Sequence, residues 1–347
     1  MANTAEHCLI RSNIFRNLSY DTWLVGGANN ILEQNLLEAT QGWDAIHFMG
    51  TNNVFRLNVI RNSPLVVYQV SPDLFENLSQ ARFDNILFER NFVYGFDGVI
   101  TSQKGFTGDA GPLTYSHNVF IDTGSISIRF PKASFLNNTF IHASAVGNPV
   151  AAPLKHPITF EAIHSENAVL KHNIFVDCGS GRNPNDQGWY EFLGSSSTAT
   201  IAKNYVSGPA PSYASKTGFK EGIPALNGGD PGFVNINDPL GPDGLAFTDD
   251  DGLRLRADSK LIEAGDDWAD LGAYNIPTSP PLLRLLTLGP QKFTLEWTKE
   301  SKHFELQQAS NANGPWTHWS GSRTTNETSI SVSLQETSLT GFYRLIR

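Results

Sequence analysis

The sequence predicts an all-β chain, in which a right-handed parallel β-helix is followed by a small antiparallel β-sandwich. A short phrase, Asn followed by two bulky residues, occurs eight times in the first 206 residues. The runs around each phrase alternate or nearly alternate between apolar and polar residues and are too short for ordinary helices, which is typical of strands. Residues 282–347 contain further alternating runs separated by turn residues, which is typical of a small sandwich.

The repeated phrase defines the repeat unit. It begins at Asn13, Asn35, Asn58, Asn91, Asn118, Asn138, Asn173 and Asn204. The spacing ranges from 20 residues, between Asn118 and Asn138, to 35 residues, between Asn138 and Asn173. Variable insertions in a short unit are typical of stacked repeats. We expect an Asn at each turn to adopt the left-handed backbone conformation and to bond the equivalent amides above and below.

Changes in composition divide the chain into four parts. Residues 1–207 contain the repeats, and residues 208–276 are an irregular, Gly-, Pro- and Asp-rich segment that we expect to cover the last coil of the β-helix. Residues 277–281 read as a linker because they contain adjacent prolines. Residues 282–347 form the predicted sandwich.

Composition narrows the class of partner. The formal net charge of −9 argues against nucleic acid, since phosphate binding requires a basic face. No apolar run is long enough to span a membrane, and we expect a monomer. Cys8 and Cys178 are expected to be buried small residues rather than a disulfide framework.

The start of the chain carries neither a signal segment nor a visible cap, because the first repeat begins almost at once near Cys8. Stacked repeats need a cap, since the first coil otherwise exposes a sheet edge and an open core. We therefore expect either that the natural protein starts earlier or that a short, atypical first coil serves as the cap.

Several segments after the repeats carry a family resemblance. Together with the Asn-led coils, Asp230–Val234, Asp251–Leu255, Leu261–Asp266 and Asp270–Tyr274 resemble the secreted bacterial right-handed β-helix superfamily. That superfamily includes polysaccharide lyases, pectinase-like glycoside hydrolases and surface adhesins. The resemblance covers about residues 7–275 and implies the fold and a secreted or cell-surface location. The C-terminal part is similar to the fibronectin-like modules of secreted bacterial enzymes.

The candidate site lies on the outward side of the second strand-like run of each repeat. Side chains alternate along a strand, so one polar residue per coil should face outward, and stacked coils should align these residues at about 4.8 Å spacing. The expected members of this polar row are His47, Gln69, Thr101, Arg129, Glu161 and either Tyr190 or Glu191. Insertions at 71–82, 103–112, 144–156 and 179–188 should form the walls of a groove.

The composition of this row favours binding and cleavage of an extended, acidic polysaccharide by a lyase. In β-elimination a cation, Ca²⁺ or Arg, neutralises the substrate carboxylate, and a base removes the acidified C5 proton. Arg129, Lys104 and His47 are candidate bases, and Glu161 and Glu191 are candidate helpers or metal ligands. The residues expected to bind substrate are Gln69, Thr101, Asp97, Tyr190 and Arg182.

Two alternatives remain open. A glycoside hydrolase needs a pair of carboxylates, for which Glu161 and Glu191 are candidates, with Asp97 and Asp44 as others. Phe96–Val99 resembles a coil of the pectinase-type enzymes, although the doubled Asp of that family is absent. The third reading is a non-catalytic adhesin or glycan-binding surface protein, because one fold supports many functions.

Two further motifs lie outside the repeats. Asp249 and Asp251 are candidate Ca²⁺ ligands, because they lie in an acidic turn that ends in glycine. Trp316 and Trp319 could offer a platform for sugar stacking, while a buried core position is the competing interpretation for at least one of them.

Overall fold

The chain divides into two compact units, Met1–Asn275 and Ile276–Arg347, and the division lies next to the predicted linker. The computed structural model describes residues 5–18, 23–38, 46–48, 50–61, 68–69, 83–95, 100–101, 111–124, 126–128, 132–143, 158–160, 167–178, 190–192, 199–207, 226, 228–266, 269–274, 283–289, 292–298, 305–326, 329–335 and 341–346. No helix among these residues is long and apolar enough to cross a membrane.

The first unit is built from short parallel strands. The first half contains β1 (Leu9–Arg11), β2 (Ile14–Arg16), β3 (Trp23–Val25), β4 (Ile31–Glu33), β5 (Leu36–Glu38), β6 (Ile46–Phe48), β7 (Gly50–Thr51), β8 (Val54–Arg56), β9 (Val59–Arg61), β10 (Tyr68–Gln69) and β11 (Phe83–Asp84). The second half contains β12 (Ile86–Glu89), β13 (Phe92–Tyr94), β14 (Ile100–Thr101), β15 (Leu113–Ser116), β16 (Val119–Ile121), β17 (Ile126–Ile128), β18 (Ala133–Leu136), β19 (Thr139–Ile141), β20 (Ile158–Phe160), β21 (Val169–Lys171), β22 (Ile174–Val176), β23 (Tyr190–Phe192), β24 (Thr200–Ala202) and β25 (Tyr205–Val206).

Each of eight repeats gives one strand to each of two large parallel sheets. The first sheet has the order β1-β4-β8-β12-β15-β18-β21-β24, and the second has the order β2-β5-β9-β13-β16-β19-β22-β25. The third strands of the repeats form two smaller parallel sheets, β3-β6-β10 and β14-β17-β20-β23. The prediction of parallel, repeat-like strands is therefore confirmed. The run around each repeated Asn forms two strands, so the run predicted as the second strand of each repeat is the third strand in the structure.

The run around each repeated Asn splits into two strands because the residue before the Asn bends the backbone. These preceding residues are Ser12, Gln34, Leu57, Arg90, His117, Asn137, His172 and Lys203, with φ between 53° and 61°. The repeated asparagines themselves are absent from the left-handed residues, so the expectation for their backbone is wrong. The bend turns the chain from the first sheet into the second and leaves the Asn side chain inside the turn.

The asparagines after these bends form a continuous buried ladder. The backbone N–H and the side-chain Nδ2 of Asn91 both donate to Oδ1 of Asn118, at 2.9 and 3.0 Å. The same Nδ2 also donates to the carbonyl of Phe55, at 2.8 Å. Equivalent bonds join each neighbouring pair of rungs from Asn35 to Asn204. The predicted alignment of the asparagines in one column is confirmed.

The interior between the sheets is filled by stacked aromatic rings. Phe55, Phe88, Tyr115 and Phe135 form one column with centroid separations of 4.6, 5.1 and 4.8 Å. Phe120, Phe140 and Phe175 form a second column with separations of 4.9 Å. Parallel strands in constant register place equivalent side chains directly over one another, so one apolar choice per repeat builds a continuous core.

The irregular segment of the first unit packs against several of the late repeats, whereas the sequence predicted a position over the last coil only. Phe233, Leu253, Leu261 and Leu271 pack against the outer face of the second sheet, from Phe92 in β13 to Tyr205 in β25. The N–H of Ala273 donates to Oγ1 of Thr139 at 3.0 Å, and that of Gly272 to the carbonyl of His172 at 2.9 Å. We call residues 228–274 the covering segment, of which 267–268 lie outside the described residues.

The cysteines are free thiols on different repeats. Cys178 packs against the main core, and burial raises the pKa of its thiol to about 12. Cys8 is partly buried at the first repeat. Neither observation points to a disulfide, in agreement with the sequence-based expectation.

The second unit consists of two antiparallel sheets with one core. Its strands are β26 (Arg284–Gly289), β27 (Lys292–Thr298), β28 (Glu305–Ala309), β29 (Thr317–His318), β30 (Thr324–Thr325), β31 (Ser329–Gln335) and β32 (Phe342–Ile346). The sheet orders are β26-β27-β31-β30 and β29-β28-β32. Leu295, Trp297 and Val332 of the first sheet share a core with Leu306 of the second. The predicted antiparallel strands are confirmed, and β30 is an additional short strand.

Candidate functional site

The pairing register of the third strands shows which residues of the predicted polar row are neighbours. In the sheet β14-β17-β20-β23, the Cα positions of Thr101, Ser127, Thr159 and Glu191 pair in sequence. In the sheet β3-β6-β10, the Cα position of His47 pairs with those of Leu24 and Gln69. The structure thus brings Thr101 and Glu191 into one row, and His47 and Gln69 into another.

The register also separates the two candidates in β23. Tyr190 pairs with Ile158, which in turn pairs with Ile126, and both isoleucine side chains are buried. Glu191 therefore belongs to the row of Thr101, whereas Tyr190 belongs to the row of buried isoleucines. The role expected for Tyr190 in substrate binding stays a prediction.

The remaining predicted site residues lie outside the described residues. They are Arg129, Glu161, Lys104, Asp97, Asp44 and Arg182. The insertions expected to form groove walls also lie there, except for Gly111 and Pro112. The roles predicted for these residues and segments stay predictions.

Sequence reasoning missed Ser127 and Thr159 as members of the row. It selected Arg129 and Glu161, which come two residues later on the same side of an alternating pattern. The pairing of Ile126 with Ile158, and of Ile158 with Tyr190, shows that Ser127 and Thr159 stand between Thr101 and Glu191. A local sequence pattern could have identified both residues, because each is a small polar residue between two bulky apolar residues in a short run.

The acidic turn gathers a different set of carboxylates from the one predicted. Oxygen atoms of Asp243, Asp250 and Asp251 lie within 4.8 Å of one another. Asp249 instead pairs with Arg254, whose Nη1 lies 2.9 Å from its Oδ1. Among the described residues, the carboxylates beside Asp251 are those of Asp243 and Asp250, and the role predicted for Asp249 and Asp251 as Ca²⁺ ligands stays a prediction.

Burial dominates the electrostatics of Asp251. It raises the pKa of this carboxyl group, although hydrogen bonds from neighbouring groups act in the opposite direction. Both the N–H and the hydroxyl of Thr248 donate to Asp251, at 3.0 and 3.2 Å. The Tyr274 hydroxyl lies close enough to influence the pKa of Asp251 but does not meet hydrogen-bond geometry. Carboxylate oxygens are the ligands that Ca²⁺ takes in proteins, so this trio fits a hard cation.

A second charged cluster fastens the covering segment to the repeats. Asp266 lies 3.1 Å from Nζ of Lys171 and 2.9 Å from Nζ of Lys203, and these lysines lower its pKa to about 2. Nε2 of His172 accepts the backbone N–H of Asp266 at 3.0 Å, so this nitrogen carries no proton. Burial, the largest cause, lowers the pKa of His172. The cluster explains this histidine as a structural acceptor.

A scan of protein-family models and searches of curated proteins and of solved structures gave no match to this chain.

Proposed function

We propose that the first unit is a right-handed parallel β-helix that binds an extended, acidic polysaccharide along its third strands and cleaves it by β-elimination. The observation that supports this proposal is the row of Thr101, Ser127, Thr159 and Glu191 on adjacent parallel strands. Adjacent strands lie about 4.8 Å apart, so an extended polymer running across them would cross a polar residue of this row at each strand. Hydroxyl and carboxylate groups suit the hydroxyls of a sugar chain.

The proposed reaction needs three groups around one uronate residue. Arg129 or a bound Ca²⁺ neutralises the uronate carboxylate, and a base, for which Arg129, Lys104 and His47 are the candidates, removes the C5 proton. The electron pair forms a C4–C5 double bond while the C4–O glycosidic bond breaks, and the leaving oxygen takes up a proton. Glu161 and Glu191 assist, while Gln69, Thr101, Asp97 and Arg182 hold the polymer.

Calcium remains part of the proposal as the neutralising cation. The trio of Asp243, Asp250 and Asp251 offers oxygen ligands, but it belongs to the covering segment against the second sheet, so a cation there would hold that segment, and the neutralising cation would bind beside the third strands. Chelation should abolish cleavage if a cation is required, and excess Ca²⁺ should restore it.

A second candidate function is binding without cleavage, as in an adhesin or surface glycan-binding protein. Among the described residues of the third strands, Glu191 has the only carboxylate and His47 the only imidazole, and they belong to different sheets. This composition would suit binding of a polymer without acid–base chemistry if the bases proposed outside the described residues do not act. The glycoside hydrolase alternative still requires a second carboxylate, for which Glu161 is the candidate.

The decisive experiment is incubation of the full chain with a panel of polyuronates, with and without Ca²⁺, while ultraviolet absorbance reports an unsaturated product. We expect absorbance to rise, and Glu191→Gln to slow this rise. Glu89→Gln on the first sheet is the matched control and should retain the wild-type rate. Reducing ends on neutral glycans without absorbance would identify a hydrolase, and polymer retention without any product would identify a binding protein.

The expected location and oligomeric state are part of the same proposal. A protein that acts on an extracellular polymer would be secreted or attached to the cell surface. We also propose a monomer, because the row of Thr101, Ser127, Thr159 and Glu191 comes from one chain. Light scattering on the purified chain should give the mass of a monomer, and fractionation of the source cells should recover the protein outside the cytoplasm.

A further inference from the structure

The second unit has an outer face that carries polar and aromatic groups. Gln307 pairs across the sheet with both His318 and Arg344, so these three side chains share one face. The opposite face belongs to the core, because Leu306 pairs with Leu345 and both pack into it. We define the outer face as Gln307, Trp316, His318, Phe342 and Arg344.

Arg344 is held in place at the centre of this face. Its guanidinium lies over the Trp316 ring, 4.2 Å from the ring centroid, and its Nε donates to Oε1 of Gln307 at 2.9 Å. Gln307 is buried, so it positions the arginine from below. Among the described residues, the two terminal nitrogens of Arg344 have neither a hydrogen-bond acceptor nor an acidic partner. An exposed guanidinium fixed by a ring and an amide therefore presents its free edge to solvent.

The two nearby tryptophans have different roles. Trp319 packs against the core, with its ring 6.5 Å from that of Tyr343. Trp316 is only partly buried and packs against Gly314, where an added Cβ would lie 2.9 Å from its Cδ1. Gly314 has φ of 86°, a backbone conformation that favours glycine, and the missing Cβ leaves room for the Cδ1–Nε1 edge of the indole. Trp316 thus remains available at the surface, beside Arg344.

The other ionisable groups at this face lie next to each other. His318 lies 2.6 Å from Glu305, and both are exposed at the edge of the sheet. Phe342 adds an exposed apolar ring, 41% accessible, on the strand of Arg344. Among the described residues, Arg344 is thus a cation of this face without an acidic partner, and it lies against the Trp316 ring.

We propose that this face is a second carbohydrate-binding site, which takes a uronate residue of the polymer. The two terminal nitrogens of Arg344 donate a bidentate pair of hydrogen bonds to the carboxylate, and Trp316 supports the sugar ring. The choice of a carboxylated sugar rests on the proposed function for the identity of the polymer and on the unpaired positive charge of Arg344. The second unit would then anchor the polymer that the first unit acts on.

Retention of the full chain in gels that contain polygalacturonate tests this site, with the dissociation constant taken from the dependence on polymer concentration. Arg344→Gln and Trp316→Ala should each weaken retention about tenfold, since each removes a main contact. Trp316→Tyr keeps an aromatic ring and should restore most of the affinity. Arg323→Gln, which removes an exposed arginine of the same unit, should retain wild-type affinity.

Three results would overturn the inference. These are unchanged retention of both the Arg344 and the Trp316 variants, equal retention by polygalacturonate whose carboxyl groups have been reduced, and no retention by any polyuronate. The ultraviolet assay separates this inference from the proposed function. Arg344-dependent retention without product would sustain the inference and remove cleavage. Product formation together with retention that does not depend on Arg344 would sustain cleavage and overturn the inference.

Discussion

The second sheet of the first unit differs between its early and late repeats. In β5 and β9, only the central residue is buried, and its two neighbours are partly exposed. In β16, β19 and β22, all three residues are buried. The inward columns are continuous throughout, so the difference arises entirely on the outer face, where the covering segment packs against the late repeats.

The difference between the outer faces of the early and late repeats is visible in one row of Cα partners. It runs through Arg16, Glu38, Arg61, Tyr94, Ile121, Ile141 and Val176. In the early repeats Glu38 lies between Arg16 and Arg61, at 2.7 and 2.9 Å. Where the covering segment begins, the same row becomes apolar. A parallel sheet that is covered on both faces needs apolar residues on both, whereas a solvated face tolerates ion pairs.

The largest effect is expected from the Asn ladder, which the early and late repeats share. Asn118→Ala leaves the buried N–H of Asn91 and the carbonyl of Phe88 without their partners, which should cost about 4 kcal/mol of unfolding free energy. Asn13→Ala, at the exposed first rung, should cost less than about 1 kcal/mol. Urea denaturation measures both, and equal losses would contradict a ladder whose strength comes from burial.

The covering segment gives the next largest effect. Leu271→Ala removes a fully buried contact with the late repeats and should cost about 3 kcal/mol. Leu245→Ala on the same segment, where the side chain is 61% exposed, should change stability by less than about 0.5 kcal/mol. Urea denaturation and protease sensitivity of the segment check the difference. A stable Leu271 variant would mean that the late repeats do not need their cover.

The attachment of the covering segment should depend on pH in two separate windows. The folded-state pKa of His172 is lowered, so the unfolded chain binds its proton more readily and stability falls as pH drops below about 6.5. The pKa of Asp266 is also lowered, to about 2, so its contribution is present above about pH 4 and is lost as pH falls towards 2.

His172→Asn should remove the loss of stability that the wild type shows between pH 7 and pH 5. Asn tolerates the left-handed backbone at this position, where φ is 61°. His142→Asn is the matched control, because His142 also has a left-handed backbone but is exposed. Denaturation midpoints measured across this pH range test the prediction. If the midpoint of the His172 variant still falls between pH 7 and pH 5, the pH dependence comes from another group.

The smallest effect is expected from an ion-pair row of the early repeats. Burial alone would raise the pKa of Glu33, but hydrogen bonds from Arg56 and Arg11 outweigh it and lower the pKa. Glu33→Gln should cost about 1 kcal/mol at low salt and less at high salt, since both arginines are partly exposed. The contribution is present above about pH 4 and is lost as pH falls through the lowered pKa. Denaturation at two salt concentrations tests this, with exposed Glu6→Gln as the control.

The repeated asparagines made the strand positions and the buried ladder predictable from the sequence. A side chain that recurs at one place in a short unit must stack if the units stack, and Asn can bond both to its neighbour and to the backbone. The antiparallel strands of the second unit were predictable for a similar local reason, since alternation and turn residues lie within a few positions of each other.

The sequence by itself thus determined the all-β class, the repeat unit and the column of asparagines, because these follow from local patterns. Only the tertiary structure decided that Ser127 and Thr159 stand between Thr101 and Glu191, because register depends on pairing between strands that are distant in the chain. It also decided which outer face the covering segment packs against. That choice depends on apolar residues distributed over many repeats, and no local pattern in the segment encodes it.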